Sequence, residues 1–303
     1  KTTLLTAIVL SMGLLAGCSD KSSTPETSAT TSDDAKISLA QAQAIHKAAL
    51  TVDAHADIEL PGAPSAYVGE DGLSKVAPDK MVAGGLDAVV MSVAVSPGPR
   101  TAAGYEAAQQ LAKAKLAAAK ALAAEEANNA VIALTPDELI NAHEAGKSAL
   151  LLGFQNALIA GTSVAAIESF YAEGVRIFAL THMGHNAFAD SSRPLFDGAT
   201  GQREATAEHG GLSDLGIAAI KNINELGAIV DISQLSKQAA LQAIELSTTP
   251  VIASHSNARS LTTVSRNLSD EELDRLGATG GVVHVAPFRG YLFDTTNAQM
   301  DAD

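Results

Sequence analysis

Thr51-Val52-Asp53-Ala54-His55-Ala56-Asp57-Ile58-Glu59-Leu60-Pro61-Gly62 decides how the chain is read. It has the character of a short buried strand that ends in two side chains able to hold a metal. Thr51 and Val52 are β-formers, and Pro61 and Gly62 close the strand and open a loop. His55 and Asp57 lie two residues apart, so on a strand they point to the same side. An imidazole and a carboxylate side by side at the C-terminal end of a strand can bind a divalent cation. Taken alone, His-x-Asp is also common among ordinary polar loop residues, so the rest of the chain has to decide.

Downstream, apolar runs alternate with helical ones. Asp87–Ala94, Ser148–Gln155, Val175–His182, Ala228–Gln234, Pro250–Ser256 and Gly280–Pro287 are expected strands, which with the first makes seven. Between them, Tyr105–Asn128 is a long Ala-rich helix, Ala165–Glu173 and Leu212–Leu226 are helices closed by Gly174 and Gly227, and Lys237–Leu246 and Asp270–Leu276 are helical. Strands and helices in alternation, with short connections, predict parallel βαβ units. Polar side chains gather at the strand ends: His55, Asp57, Gln155, His182, Gln234 and His255. A doubly wound sheet offers one crevice between two strands. Contributions from at least five strands fit a (β/α)8 TIM-type barrel better, because all its strand ends face one mouth. The eighth strand is not found before Asp303, and an open seven-strand form is the other reading.

Upstream of the first strand, Ser38–Leu50 reads as a helix. Before it, Ser19–Lys36 is rich in Ser, Thr and Asp and too polar to bury a core, so residues 19–36 are expected to form a flexible tether and residues 37–303 the barrel. Residues 1–18 have a basic start, an apolar run too short to span a membrane comfortably, and small residues before a cleavage point, the marks of a secretory leader. Leu15-Ala16-Gly17-Cys18 looks like a bacterial lipobox, in which Cys18 is lipidated and becomes the new N-terminus. An ordinary signal peptide or a buried apolar helix are the plainer readings. The lipobox implies a lipid-anchored protein at the periplasmic face of the bacterial cell envelope, and Ser19 after Cys18 favours the outer membrane. Cys18 is the only cysteine, so no disulfide forms within the chain.

The 303 residues, 47% hydrophobic and 18% charged, suffice for one large domain or two smaller ones. A net charge of −14 argues against nucleic acid as a partner, since phosphate binding depends on Lys and Arg. It leaves the membrane as a partner only through the lipid anchor.

From Thr51 to Phe288 the motifs resemble, in order and spacing, those of the membrane (renal) dipeptidase family of the amidohydrolase superfamily. Asp53-x-His55-x-Asp57 with Pro61 resembles its opening metal motif, and Gly84-Gly85 its second segment. Arg176-x-x-x-Leu180-Thr181-His182 with Ala189-Asp190-Ser191 resembles its substrate-side His segment. Gly211-Leu212-Ser213-x-x-Gly216 through Asp231-Ile232-Ser233, then Pro250-Val251-Ile252-Ala253-Ser254-His255-Ser256, Arg266-Asn267-Leu268-Ser269-Asp270 and Gly280-Gly281-Val282-Val283 resemble the segments that follow.

The resemblance implies a TIM-type barrel that hydrolyses dipeptides at two zinc ions, and a tendency to form homodimers. It also implies metal ligation by His55, Asp57 and His255, substrate contact by His182, and recognition of the substrate carboxylate by Arg266. Two positions depart from the family pattern. Gln155 stands where the family has the Glu that bridges both ions, and Gln234 where it has a His. Two dications about 3.5–4 Å apart repel by on the order of 15–20 kcal/mol at an effective dielectric of about 20. A neutral amide offsets little of that. The expectation is a reduced site holding zinc or another divalent metal, one ion at most, or none. Three readings follow: a dipeptidase-like metallohydrolase with a reduced site, an envelope enzyme that modifies a peptide-like metabolite without two metals, and a non-catalytic barrel that binds a small ligand. His185, His209 and His284 have no matching role; His284, between Val283 and Val285, is read as either lumen-facing or structural.

Overall fold

Alternating strands and helices give the chain its frame, seen here in a computed structural model that describes residues 37–60, 62, 67–198 and 200–293. The leader with its Cys18 lipobox, the 19–36 tether and Pro61 lie outside the described residues. The chain divides into two units, Lys1–Ala42 and Gln43–Asp303; of the first, only residues 37–42 are described.

Among the described residues the strands are β1 (Val52–Asp57), β2 (Ala88–Ala94), β3 (Ala130–Ile132), β4 (Ser148–Gln155), β5 (Val175–Ala179), β6 (Phe196–Asp197), β7 (Gln202–Arg203), β8 (Ile229–Asp231), β9 (Ile252–Ser256) and β10 (Val282–Val285). The helices are α1 (Leu39–Ala48), α2 (Pro78–Gly84), α3 (Ala102–Ala124), α4 (Pro136–Glu144), α5 (Ala165–Ala172), α6 (Asp214–Glu225), α7 (Lys237–Leu246), α8 (Asp270–Ala278) and α9 (Arg289–Leu292).

The main sheet runs β1-β2-β4-β5-β8-β9-β10, every pair parallel, and curls into a nearly closed (β/α)8 TIM-type barrel. β3 pairs with the start of β4 and lies off this path. The seven expected strands are therefore the seven on the path, and β3 is an addition that three short residues did not advertise. Among the described residues, β1 and β10 at the ends of that path each pair with a strand on one side only.

Burial explains the composition of the strands. Every residue of β2, Ala-Val-Val-Met-Ser-Val-Ala, is buried, because side chains cover both faces. α3 lays Ala108, Ala112, Leu116 and Ala119 against the sheet, a helical spacing of small residues that lets helix and sheet approach closely. Helix starts follow local chemistry. α4 and α8 each open with a capping box, Thr135 with Glu138 and Ser269 with Glu272, in which side chain and backbone satisfy one another reciprocally. Gly216, in the first turn of α6, sits so close to the Phe188 carbonyl that a Cβ would lie 2.1 Å from its oxygen.

The long connection from β5 to α6 folds back on itself. The Asp190 carboxylate accepts backbone N–H bonds from Glu208, His209 and Gly211, at 2.8 Å for the closest two. His185 accepts the Ser191 N–H at Nδ1 and donates from Nε2 to the Ala205 carbonyl at 2.8 Å. His209 Nε2 donates to the Asn186 carbonyl at 2.8 Å. These two histidines hold the connection together.

Candidate active site

β1 delivers His55 and Asp57 to the C-terminal mouth of the barrel. Its pairing with β2 shifts register between Asp53 and Ala56, a bulge that the regular alternation assumed from sequence did not contain. Asp53 Oδ1 accepts the His55 N–H at 3.0 Å within it. Past the bulge His55 and Asp57 remain two residues apart, and both line one cleft of about 930 Å³. Gln155, His182, Gln234, Ser254, His255, His284 and Tyr291 line it too. The strands carrying His182 and Gln234 are shorter than expected. β5 stops at Ala179, and His182 follows on the loop. β8 stops at Asp231, whose carboxylate turns back to accept the Ser233 N–H at 2.9 Å and ends the ladder. Gln234 therefore sits on a turn with φ +70°, a left-handed conformation that costs a non-glycine residue and is held by a bond from Ser192 N–H to its carbonyl at 2.9 Å.

His55 Nε2 lies 3.3 Å from Asp57 Oδ1, an ion-pair distance without hydrogen-bond alignment, so that this buried oxygen has no donor. The His55 ring stacks on His255 with centroids 3.8 Å apart and planes 20° apart. Burial pushes the Asp57 carboxyl up, but the neighbouring His55, with Lys115 and His182 further off, outweighs it and holds it below its usual 3.8. Burial lowers His182 to about 4, partly opposed by Asp57 and reinforced by Arg266, His55 and Arg193, so it is neutral at physiological pH. His255 is lowered well below 6.5, first by burial and then by His55, Arg266 and His182. His182 Nδ1 and Gln155 Oε1 are also buried without partners.

Behind this row stands a group that sequence reasoning missed. The Asp231 carboxylate accepts Ser254 N–H at 3.1 Å and the Ser254 hydroxyl at its other oxygen. Ser254 Oγ lies 2.7 Å from His255 Nδ1, and Ser233 Oγ accepts the His255 N–H at 3.1 Å. On the open side, Gln155 Nε2 donates to Gln234 Oε1 at 2.8 Å and lies 3.3 Å from His255 Nε2. One ligand atom each from His55, Asp231 and His255 fall within 4.8 Å of one another. The Asp231 oxygens already serve three donors. The available signal was an acid one turn before Gln234 and a serine beside His255, which spacing alone does not single out.

Arg266 is placed differently from the expectation. It is 2% exposed and is not among the residues that line the cleft. Its Nη1 donates to Ser256 Oγ at 3.0 Å and its Nη2 to the His255 carbonyl at 2.8 Å, while its Nε has no partner. Its guanidinium stands 5.1 Å from the centroid of the Tyr291 ring, and Tyr291 forms the cleft wall in front of it.

The sequence profile of the family "Membrane dipeptidase (Peptidase family M19)" matches residues 39–302. The chain belongs to this family. A probable dipeptidase of Pseudomonas aeruginosa, PvdM, has a solved structure that superposes with a TM-score of 0.76 at 30% identity, over 86% of this chain and 66% of that one. An uncharacterized dipeptidase of Schizosaccharomyces pombe is 36% identical over 147 residues, 48% of this chain and 33% of its own. The dipeptidase verJ of Clonostachys rogersoniana is 34% identical over 158 residues, 52% of this chain and 38% of its own. The matches to these two curated relatives thus span little more than a third of their length. At His55 and Asp57 an imidazole nitrogen and an unpaired carboxylate oxygen stand together, donors of the kind that fit a divalent cation. The chain does not supply a carboxylate bridge at Gln155 or an imidazole at Gln234.

Proposed function

We propose that the chain hydrolyses dipeptides or closely related small amides with a single divalent cation, zinc being the first to test. The observation that carries this reading is the His55–Asp57 pair at 3.3 Å, with an unpaired buried oxygen, in the wall of a cleft of peptide-sized volume. Family membership supports it, as do the relatives named dipeptidases. A cation there supplies Lewis-acid chemistry to an amide carbonyl. The chain's own residues do the rest. Neutral His182, with a free buried Nδ1, hydrogen-bonds the substrate. Arg266, buried with both Nη groups bonded to Ser256 and the His255 carbonyl, fixes the His255 segment behind the cleft wall rather than contacting substrate. Residues 1–18 direct the protein to the periplasmic face of the bacterial envelope, Cys18 anchors it by lipid, and residues 19–36 tether the barrel.

The test is dipeptide hydrolysis by the full chain before chelation, after chelation, and after zinc is restored, beside His55→Ala and Asp57→Ala. Loss on chelation, recovery with zinc and silence of both variants are expected. Turnover that survives chelation overturns the metal reading in favour of metal-free chemistry at the same mouth, and saturable binding without turnover favours a ligand-binding barrel.

A further inference from the structure

We propose that the Gln155 side-chain amide occupies, as a neutral stand-in, the place that a second cation would take beside His255, and that His255 is a hydrogen-bonded support rather than a metal ligand. The inference rests on the single-ion reading above and specifies which residues that ion does without.

Polarity can be followed from one end. The Asp231 carboxylate only accepts, so the Ser254 hydroxyl gives it its proton. Ser254 Oγ, 2.7 Å from His255 Nδ1, then accepts, and His255 carries its proton on Nδ1. That leaves His255 Nε2 with a bare lone pair, the form in which an imidazole binds a metal. What faces the lone pair at 3.3 Å is the Gln155 Nε2 amide group, whose other N–H goes to Gln234 Oε1 at 2.8 Å. The amide has two N–H groups and two acceptors to receive them. The partial positive charge that a cation would bring is supplied by the chain itself, with no carboxylate needed to balance it.

The arrangement is built rather than incidental. Gln155 is 1% exposed and Gln234 5% exposed, and Gln234 stands at φ +70° with its Oε1 accepting the Gln155 amide. The amide turns its remaining oxygen away from both acceptors, and that Oε1 is buried without a donor, beside the cleft where substrate enters. A carboxylate at residue 155 would face His255 Nε2 and Gln234 Oε1 as a third acceptor and would need a cation between them.

The experiment is zinc stoichiometry by elemental mass spectrometry on the full chain after equilibration with zinc. It compares wild type, His255→Ala and the double variant Gln155→Glu/Gln234→His. The expected results are one more ion per chain in the double variant than in wild type, and wild-type stoichiometry in His255→Ala. An unchanged count in a folded double variant, a lost ion in His255→Ala, or two ions in wild type overturns the inference. No ion in wild type but one in the double variant sinks the single-ion function and still supports the amide stand-in. A second measurement uses the wild type alone. Imidazole nitrogen NMR should find His255 protonated at Nδ1 and unmoved by zinc while His55 shifts; a zinc-dependent shift of His255 Nε2 refutes the proposal without any variant having to fold.

Discussion

At the scale of single residues the site is shaped by histidines kept neutral. His182, at about 4 in the fold and near 6.5 when unfolded, refuses protons that the open chain accepts. Its contribution is complete above pH 6.5 and is lost as pH falls towards 4. In chelated protein we expect the unfolding free energy to drop by up to roughly 3 kcal/mol over that window on account of this residue. His182→Gln should flatten the curve there, as read by urea melts at several pH values; an equally steep curve in the variant would place the pH dependence elsewhere. The groups around His182 that bear on the curve are Asp57, His55, Arg193 and Arg266, and the buried His255 adds to it with the same sign. This is also the scale at which the sequence was least legible. His55, Asp57, His182, Gln155, Gln234 and His255 were visible because each ends or follows an apolar run, and all six line the cleft. Asp231 and Ser254 were not, because their work is done by hydrogen bonds to backbone amides and to one another, and such bonds leave no periodicity to read. Arg266 was visible as a motif residue, but its burial behind Tyr291 depends on α9, a four-residue helix with no sequence signature.

At the scale of elements, two glycines make opposite forecasts. Gly216→Ala puts a Cβ 2.1 Å from the Phe188 carbonyl oxygen, a backbone atom with nowhere to go, at the point where α6 meets the β5–α6 connection. We expect it to destabilise the fold by about 1–3 kcal/mol or more. Gly277→Ala, inside α8 with nothing within 4 Å of the added carbon, should stabilise it by roughly 0.5–1 kcal/mol through helix propensity and a stiffer unfolded chain. Chemical denaturation of the pair checks both signs. Ser269→Ala removes the capping box of α8 and should cost about 1 kcal/mol while leaving metal content alone. Helices were read closely from sequence at α6, which Gly227 follows, and at α7, whereas α3, expected at 105–128, starts earlier at Ala102 behind its Thr101 cap and stops at Ala124. Strand ends were overread at β5 and β8, because an apolar residue beyond the last ladder bond looks the same on paper as one within it.

At the scale of the whole molecule, the acidic balance and the proposed anchor make separate forecasts. With a net charge of −14, self-repulsion should ease as salt screens it, so the melting temperature should rise modestly between low and physiological ionic strength; a fall would mean that attractive pairs such as Arg100–Glu208 dominate instead. Cys18→Ala in a full-length bacterial host should move the protein from the membrane fraction to the soluble one, and a variant that still pellets with membranes would count against lipidation at this residue. The seam that the described residues leave between β10 and β1 has a consequence of another kind. β4 is hydrogen-bonded along both sides, to β2 on one and to β3 and β5 on the other, whereas among the described residues β1 and β10 have strand neighbours on one side only. Solvent deuterium should therefore enter the sheet from the seam inward, reaching the amides of β10 and β1 first and those of Leu150–Phe154 last. The residues proposed to hold a cation sit on the fast-exchanging margin of a slow-exchanging body, and a bound ion should announce itself there, as protection gained by β1 alone.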